Sequence, residues 1–79
     1  MTGKWARGGE KPQLRGAEIL QVRPFELHGM TYVDLAVRFD DGSVERARLG
    51  AESVPDGLQP GDRVTATRVA NMLISLRRP

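Results

Sequence analysis

From residue 17 onward the chain consists of short apolar-rich runs divided by turn signals, and no segment supports a helix longer than one turn. Runs of this length and spacing are typical of an all-β barrel or sandwich. The first run is AEILQVRPFEL at 17–27, and HGM at 28–30 forms the turn after it. Pro24 cannot donate a ladder hydrogen bond, so it marks either a bulge or an unpaired strand edge.

The second run, TYVDLAVRF, alternates strictly between two faces of a strand. One face holds Val33, Leu35, Val37 and Phe39, and the other holds Tyr32, Asp34, Ala36 and Arg38. The apolar residues of the first run are Ile19, Leu20, Val22, Phe25 and Leu27. A chain of 79 residues is one small domain with a thin core. We therefore assign both phenylalanines, Phe25 and Phe39, to that core.

The segment RFDDGSVERARLG, residues 38–50, places an acidic turn between two arginine-bearing stretches. If the turn had two residues, Asp41 and Gly42, Leu35 would lie opposite Arg48 and charge would enter the apolar face. A loop of three residues, Asp40-Asp41-Gly42, shifts the pairing by one when Gly42 is left-handed in a G1-type bulge.

The shifted register keeps the apolar face intact. Leu35 then lies opposite Ala47, while Arg48 and Arg46 lie opposite Asp34 and Ala36 on the other face. Because a buried face selects the register of a strand, we predict the bulged hairpin. Its weak point is Glu45 opposite Val37, which is tolerable only near the rim of a barrel.

The remaining segments complete a five-strand pattern. Residues 51–54 are predicted to form one helical turn, which Pro55 ends. Leu58 is placed to plug the base of the barrel. The last two strands are DRVTATRV at 62–69 and MLISLRR at 72–78, joined by a turn near Ala70-Asn71.

Residues 16–77 resemble the OB-fold, a five-stranded Greek-key barrel. The resemblance is carried by the long first strand, the DDG hairpin and LQPGDRVTATRVANMLISL. That last stretch is similar to the closing strands of OB-like domains such as the C-terminal domain of NfeD-family proteins. The resemblance implies an all-β, OB-like barrel whose helix between the third and fourth strands is shortened or absent. That missing helix keeps an SH3-like barrel as the alternative.

The net charge of +2 is unevenly distributed. Residues 1–16 carry Lys4, Arg7, Lys11 and Arg15 against Glu10, and Arg77 and Arg78 lie at the other end. The segment between, 17–76, holds six arginines against nine acidic residues. We predict a flexible basic arm at 1–15, a slightly acidic barrel at 16–77 and a C-terminal end at 78–79.

Residues suited to catalysis are few. The sequence has no cysteine and one histidine, His28, which lies in a predicted turn. Asp40 and Asp41 precede a glycine, where aspartate usually stabilises the turn itself. RGGEKPQLRG lacks the spacing of a phosphate-binding loop. We expect no enzyme activity, no metal site and no cofactor. No apolar run is suited to a signal peptide or a membrane span, so we expect a cytoplasmic protein without a membrane partner.

Binding of nucleic acid is the leading hypothesis. The OB resemblance implies that ligands contact the outer face of strands two and three and the two loops beside it. These positions correspond to Tyr32, Arg38, Arg46 and Arg48 on the face, and to His28, Met30, Asn71 and Met72 in the loops. Arginine and tyrosine can stack on bases, and guanidinium groups can hold phosphates. Lys4, Arg7, Lys11 and Arg15 would add diffuse attraction to single-stranded DNA or RNA.

Three other interpretations remain open. The same arginines are also typical of a solvated strand edge that prevents aggregation. An unpaired edge or the acidic segment 17–76 could instead bind a protein partner. A small-molecule site is a distant third hypothesis, because side chains fill a barrel of five strands.

Overall fold

The structure, a computed structural model, describes residues 11–79 and contains five antiparallel strands. These are β1 (Gln13–Leu27), β2 (Met30–Phe39), β3 (Val44–Gly50), β4 (Arg63–Val69) and β5 (Met72–Arg77). Between β3 and β4 lies a single 3₁₀ turn, Ala51–Ser53. The sheet order is β3-β2-β1-β4-β5. Residues 1–10 lie outside the described part, and with them most of the predicted arm.

The long strand β1 curls the sheet, because it pairs with two partners along different parts of its length. It pairs with β2 from Ala17 to Leu27 and with β4 from Gln13 to Glu18. The result is a curled half-barrel that fits a small β-barrel such as the OB-like one predicted. β1 begins at Gln13, so residues 13–15 belong to the sheet and not to an arm.

The β2–β3 hairpin has the predicted bulged register. Asp34 pairs with Arg48, and Leu35 pairs with Ala47. The N–H of Phe39 donates to the carbonyl of Ser43 at 2.9 Å, which closes a loop over residues 40–42. Gly42 has φ 89°, the left-handed conformation that this bulge requires.

Asp41 stabilises the hairpin loop from within. Its Oδ1 atom accepts hydrogen bonds from the Ser43 hydroxyl at 2.6 Å and from the Ser43 N–H at 2.9 Å. Arg15 lies 3.3 Å from its other oxygen. These donors, the Ser43 hydroxyl foremost, lower the pKa of Asp41 from 3.8 to about 2.

We expect the lowered pKa of Asp41 to make the stability of the hairpin depend on pH in the acidic range. A carboxylate with a lowered folded-state pKa stabilises the fold fully above about pH 4, and that contribution is lost as pH falls towards 2. A carboxyl-carbon NMR titration should give a pKa of about 2 for Asp41. Ser43→Ala should move it back towards 3.8, and Asp41→Asn should weaken the fall in Tm between pH 4 and 2. A wild-type pKa near 3.8 would contradict the hydrogen bonding described here.

The core lies inside the curl and contains residues from every strand. Its buried members are Ala17, Ile19, Val33, Leu35, Val37, Phe39, Leu49, Leu58, Val64, Ala66, Leu73 and Leu76. Leu58 is 8% exposed and belongs to this core, so it is buried as predicted. The predicted helical turn is also present, with the N–H of Val54 donating to the carbonyl of Ala51 at 3.3 Å.

The seam between β3 and β5 is bridged by the side chain of Glu45. One carboxylate oxygen accepts from the guanidinium of Arg68 at 3.0 Å, and the other accepts from the N–H of Leu73 at 3.2 Å. Glu45 does lie opposite Val37 as predicted. The position tolerates a carboxylate because Arg68 of β4 and the main chain of β5 supply its hydrogen-bond donors.

Candidate functional site

The outer face of β1, β2 and β3 brings the predicted binding residues together. Cross-strand partners in an antiparallel sheet lie on the same face, so the pairings identify its members. They are Gln21, Arg23 and Phe25 from β1, Tyr32, Asp34, Ala36 and Arg38 from β2, and Arg46 and Arg48 from β3. We call this set the outer face.

Phe25 is on the outer face, so its assignment to the core was wrong. The β1–β2 register shifts between Ile19 and Gln21, which leaves Leu20 without a cross-strand partner. That bulge changes the alternation of β1, so Ile19 is fully buried while Phe25 is half-buried outside. The signal was present in the sequence, because Gln21 and Arg23 precede Phe25 at alternate positions.

Phe25 and Tyr32 form an aromatic pair on this face. They are direct cross-strand partners, and their ring centroids lie 5.8 Å apart with an interplanar angle of 27°. The Arg48 guanidinium carbon lies 4.5 Å from the centre of the Phe25 ring. The three side chains therefore form one partly exposed cluster of planar groups, with the Arg48 guanidinium over the Phe25 ring, to which a nucleobase can add by stacking.

Two of the predicted arginines are engaged by carboxylates. Arg48 donates to both oxygens of Asp34 at 2.9 and 3.3 Å, and Arg38 donates to Glu18 at 2.9 Å. The hydrogen bond from Arg48 lowers the pKa of Asp34, and the same contact raises the pKa of Arg48. These pairs leave Arg48 well oriented but reduce the positive charge of the outer face.

Two other arginines supply the uncompensated charge. Arg46 donates to the neutral amide of Gln21 at 3.3 Å. Within residues 11–79, neither Arg46 nor Arg23 has a carboxylate at ion-pair distance. Both line an open groove of about 400 Å³, together with Asp34 and Arg48. Sequence reasoning did not select Arg23, because the side of β1 on which Arg23 lies depends on the bulge at Leu20.

Two of the predicted loop residues, His28 and Asn71, do not join this cluster. His28 lies in a two-residue turn with Gly29, at φ 54° and 77°, beyond the pair Leu27 and Met30. Asn71 follows β4 at the other end of β1, where Arg68 pairs with Gln13. His28 and Asn71 are therefore near opposite ends of the long strand.

The predicted arm residues fall into two groups. Lys4 and Arg7 lie outside the described residues, and Lys11 is exposed just before β1. Arg15 is part of β1 and makes local contacts, with Asp41 at 3.3 Å and with the Phe39 ring at 4.6 Å. The guanidinium carbon of Arg68, from β4, lies 5.4 Å from the centre of the same Phe39 ring. Arg15 is thus engaged at the hairpin end of the barrel, apart from the outer face.

Within the described residues, no group of histidine, aspartate and glutamate is arranged to hold a metal ion. No helix in that part of the chain is long and apolar enough to cross a membrane. The chain matches no protein-family model, and comparison with curated proteins and with solved structures also gives no match.

Proposed function

We propose that this protein is a small non-catalytic OB-like barrel that binds single-stranded DNA or RNA through its outer face. The observation that carries the proposal is the half-buried aromatic pair of Phe25 and Tyr32, which lies beside a groove that contains Arg23 and Arg46. Bases stack on aromatic rings and phosphates bind guanidinium groups. The aromatic pair therefore suits the base of a nucleotide, and the arginines of the groove suit its phosphate.

Stacking contributes more of this interaction than charge does. Asp34 and Glu18 already neutralise Arg48 and Arg38, so those two arginines gain less from a phosphate than free cations would. A stacking ligand must have its bases available, which favours a single strand over a duplex. The protein therefore binds weakly, and with little discrimination between bases because every base has a π-face.

The salt dependence of binding tests the proposal. We expect a short fluorescein-labelled oligothymidylate or oligouridylate to bind at low salt, measured by fluorescence anisotropy. Two phosphate contacts by Arg23 and Arg46 give a slope of log K against log salt of about −1.4. If Lys4, Arg7 and Lys11 also contribute, five contacts bring the slope to about −3.5.

A double variant isolates the charge of the groove. Arg23→Gln with Arg46→Gln should make the slope less negative by about 1.4, since each lost contact removes about 0.7. Arg77→Gln is the matched control, because it removes an exposed cation from β5 and should leave contacts at the groove unchanged. No binding at low salt, or an unchanged slope in the double variant, would contradict the proposal.

A protein-interaction module is the second candidate function. Leu27 and Met30 extend the aromatic pair towards the hairpin tip, and they are 46% and 55% exposed. Aromatic residues, methionine and arginine are enriched at protein interfaces. If the outer face serves a protein, oligonucleotides should leave the NMR signals of Phe25 and Tyr32 unchanged even at low salt.

A further inference from the structure

A second groove lies on the side of the β1–β2 hairpin that faces away from the outer face. Its volume is about 300 Å³, and its lining is mainly apolar. Val22 and Pro24 of β1 and Val33 of β2 form one wall, and Val54, Pro55 and Leu58 from the β3–β4 connection form the other. We call this the inner groove.

The inner groove runs beside an unpaired edge of β1. Strand β4 pairs with β1 only as far as Glu18. Beyond it, Ile19 bonds the 61–62 turn, donating to the carbonyl of Asp62 and accepting from the N–H of Gly61, both at 2.8 Å. No other backbone bond from residues 11–79 reaches the edge between 20 and 27 on that side.

The register shows which backbone groups are available at this edge. The two-residue turn makes Leu27 and Met30 a hydrogen-bonded pair, so alternate residues of β1 direct their N–H and C=O groups away from β2. Those residues are Val22, Pro24 and Glu26. Pro24 offers only its carbonyl, which is consistent with a proline at an unpaired position.

Two carboxylates lie at the rim of the inner groove. Asp56 is part of its lining, and Glu26 is the cross-strand partner of Thr31, which also lines it. Neither forms an ion pair within residues 11–79. Arg78 donates to the main-chain carbonyl of Asp56 at 2.8 Å, and its guanidinium lies 3.9 Å from the carboxylate of Asp62.

We propose that the inner groove binds an extended segment of a partner protein, in which an apolar side chain is flanked by lysine or arginine. The segment adds to the free edge of β1 as a strand, bonding the backbone of Val22 and Glu26. Its apolar side chain enters the groove between Pro24 and Leu58, and its cations meet Glu26 and Asp56. The site is on the opposite side of the hairpin from the outer face, so it does not depend on the proposed nucleic-acid function.

NMR titration of the full chain with capped pentapeptides tests this proposal. The probes are Ac-Arg-Val-Xaa-Val-Arg-NH₂, with Leu, Ile, Met or Phe at Xaa, and the same peptides with Glu in place of Arg. The basic set should give saturable shifts in the amides of Val22 and Glu26 and in the methyl groups of Leu58. The acidic set should give none at the same concentrations. Absence of saturable shifts with every basic peptide would overturn the proposal.

Charge variants and two alternative outcomes complete the test. Glu26→Gln with Asp56→Asn should weaken binding of the basic peptides about three- to tenfold, as expected for the loss of two exposed ion pairs. Asp40→Asn, at the far end of β2, is the matched control and should have no effect. Shifts confined to Phe25 and Tyr32 would overturn the inner groove as the site. Shifts of Val22 and Glu26 that depend on protein concentration without peptide would show that a second copy, and not a partner, occupies the edge.

Discussion

Leucine in place of both Phe25 and Tyr32 should weaken binding of an oligothymidylate at least about thirtyfold, because stacking contributes roughly 1–3 kcal/mol for each base. Leucine keeps the apolar cover over the sheet but removes both ring faces. Anisotropy titrations at one low salt concentration measure the loss. The effect should exceed that of the arginine double variant, since stacking is the larger part of the proposed interaction.

The aromatic variant needs a control for folding. Phe25 and Tyr32 are half-buried and contact one another, so their replacement also lowers stability to some degree. Circular dichroism should show a folded barrel at the temperature of the titration. Ile74→Ala removes an exposed apolar side chain from β5 and should bind like the wild type. Wild-type affinity in the leucine double variant would show that the outer face is not the interface.

Glu45→Ala should lower the free energy of unfolding by about 2–3 kcal/mol, the cost of losing charged hydrogen bonds in a partly buried site. The substitution leaves the guanidinium of Arg68 and the N–H of Leu73 without their carboxylate, where the Arg68 and Glu45 side chains are only 17% and 21% exposed. For a domain of this size the Tm should fall by about 10–20 °C. Thermal and urea unfolding measure the change.

Two comparisons make the Glu45 prediction specific. Glu45→Gln retains an oxygen for the Leu73 N–H but loses the charge that faces Arg68, so it should cost less than alanine. Asp40→Ala breaks the pair with Arg63, whose side chains are 72% and 56% exposed, and should change the free energy of unfolding by less than about 0.5 kcal/mol. If Asp40→Ala and Glu45→Ala have equal effects, the carboxylate of Glu45 does not join β3 to β5.

The two proposed sites use opposite sides of one hairpin, and this follows from strand geometry. Successive side chains of a strand face opposite ways. In β1, Phe25 belongs to the outer face and Pro24 lines the inner groove. In β2, Tyr32 belongs to the outer face and Val33 lines the inner groove. A nucleic acid and a peptide could therefore bind at the same time without sharing a side chain.

Local chemistry was enough to predict most of the strands and the β2–β3 register. A register error of one residue would expose Leu35 and bury an arginine, so the alternation of β2 and the left-handed Gly42 admit one pairing. Pro24 was predicted to mark a bulge or an unpaired edge, and the edge beside it is unpaired. The burial of Leu58 and the helical turn that begins at Ala51 were likewise predicted from neighbouring residues in the sequence.

The features that sequence reasoning missed depend on partners distant along the chain. The bulge at Leu20 lies just beyond Glu18, where the pairing of β1 with β4 ends, and it moves Phe25 and Arg23 to the outer face. Glu45 looked unfavourable opposite Val37, because its partners Arg68 and Leu73 lie 23 and 28 residues further on.

By itself, then, the sequence determined most of the strands and the pairing of β2 with β3, since alternation and turn chemistry act over a few residues. Only the tertiary structure decided which side of β1 each residue occupies, which arginines keep their charge, and how β3 is held to β5. Those outcomes depend on a curled sheet that brings strands from both ends of the chain together, and no local pattern encodes that contact.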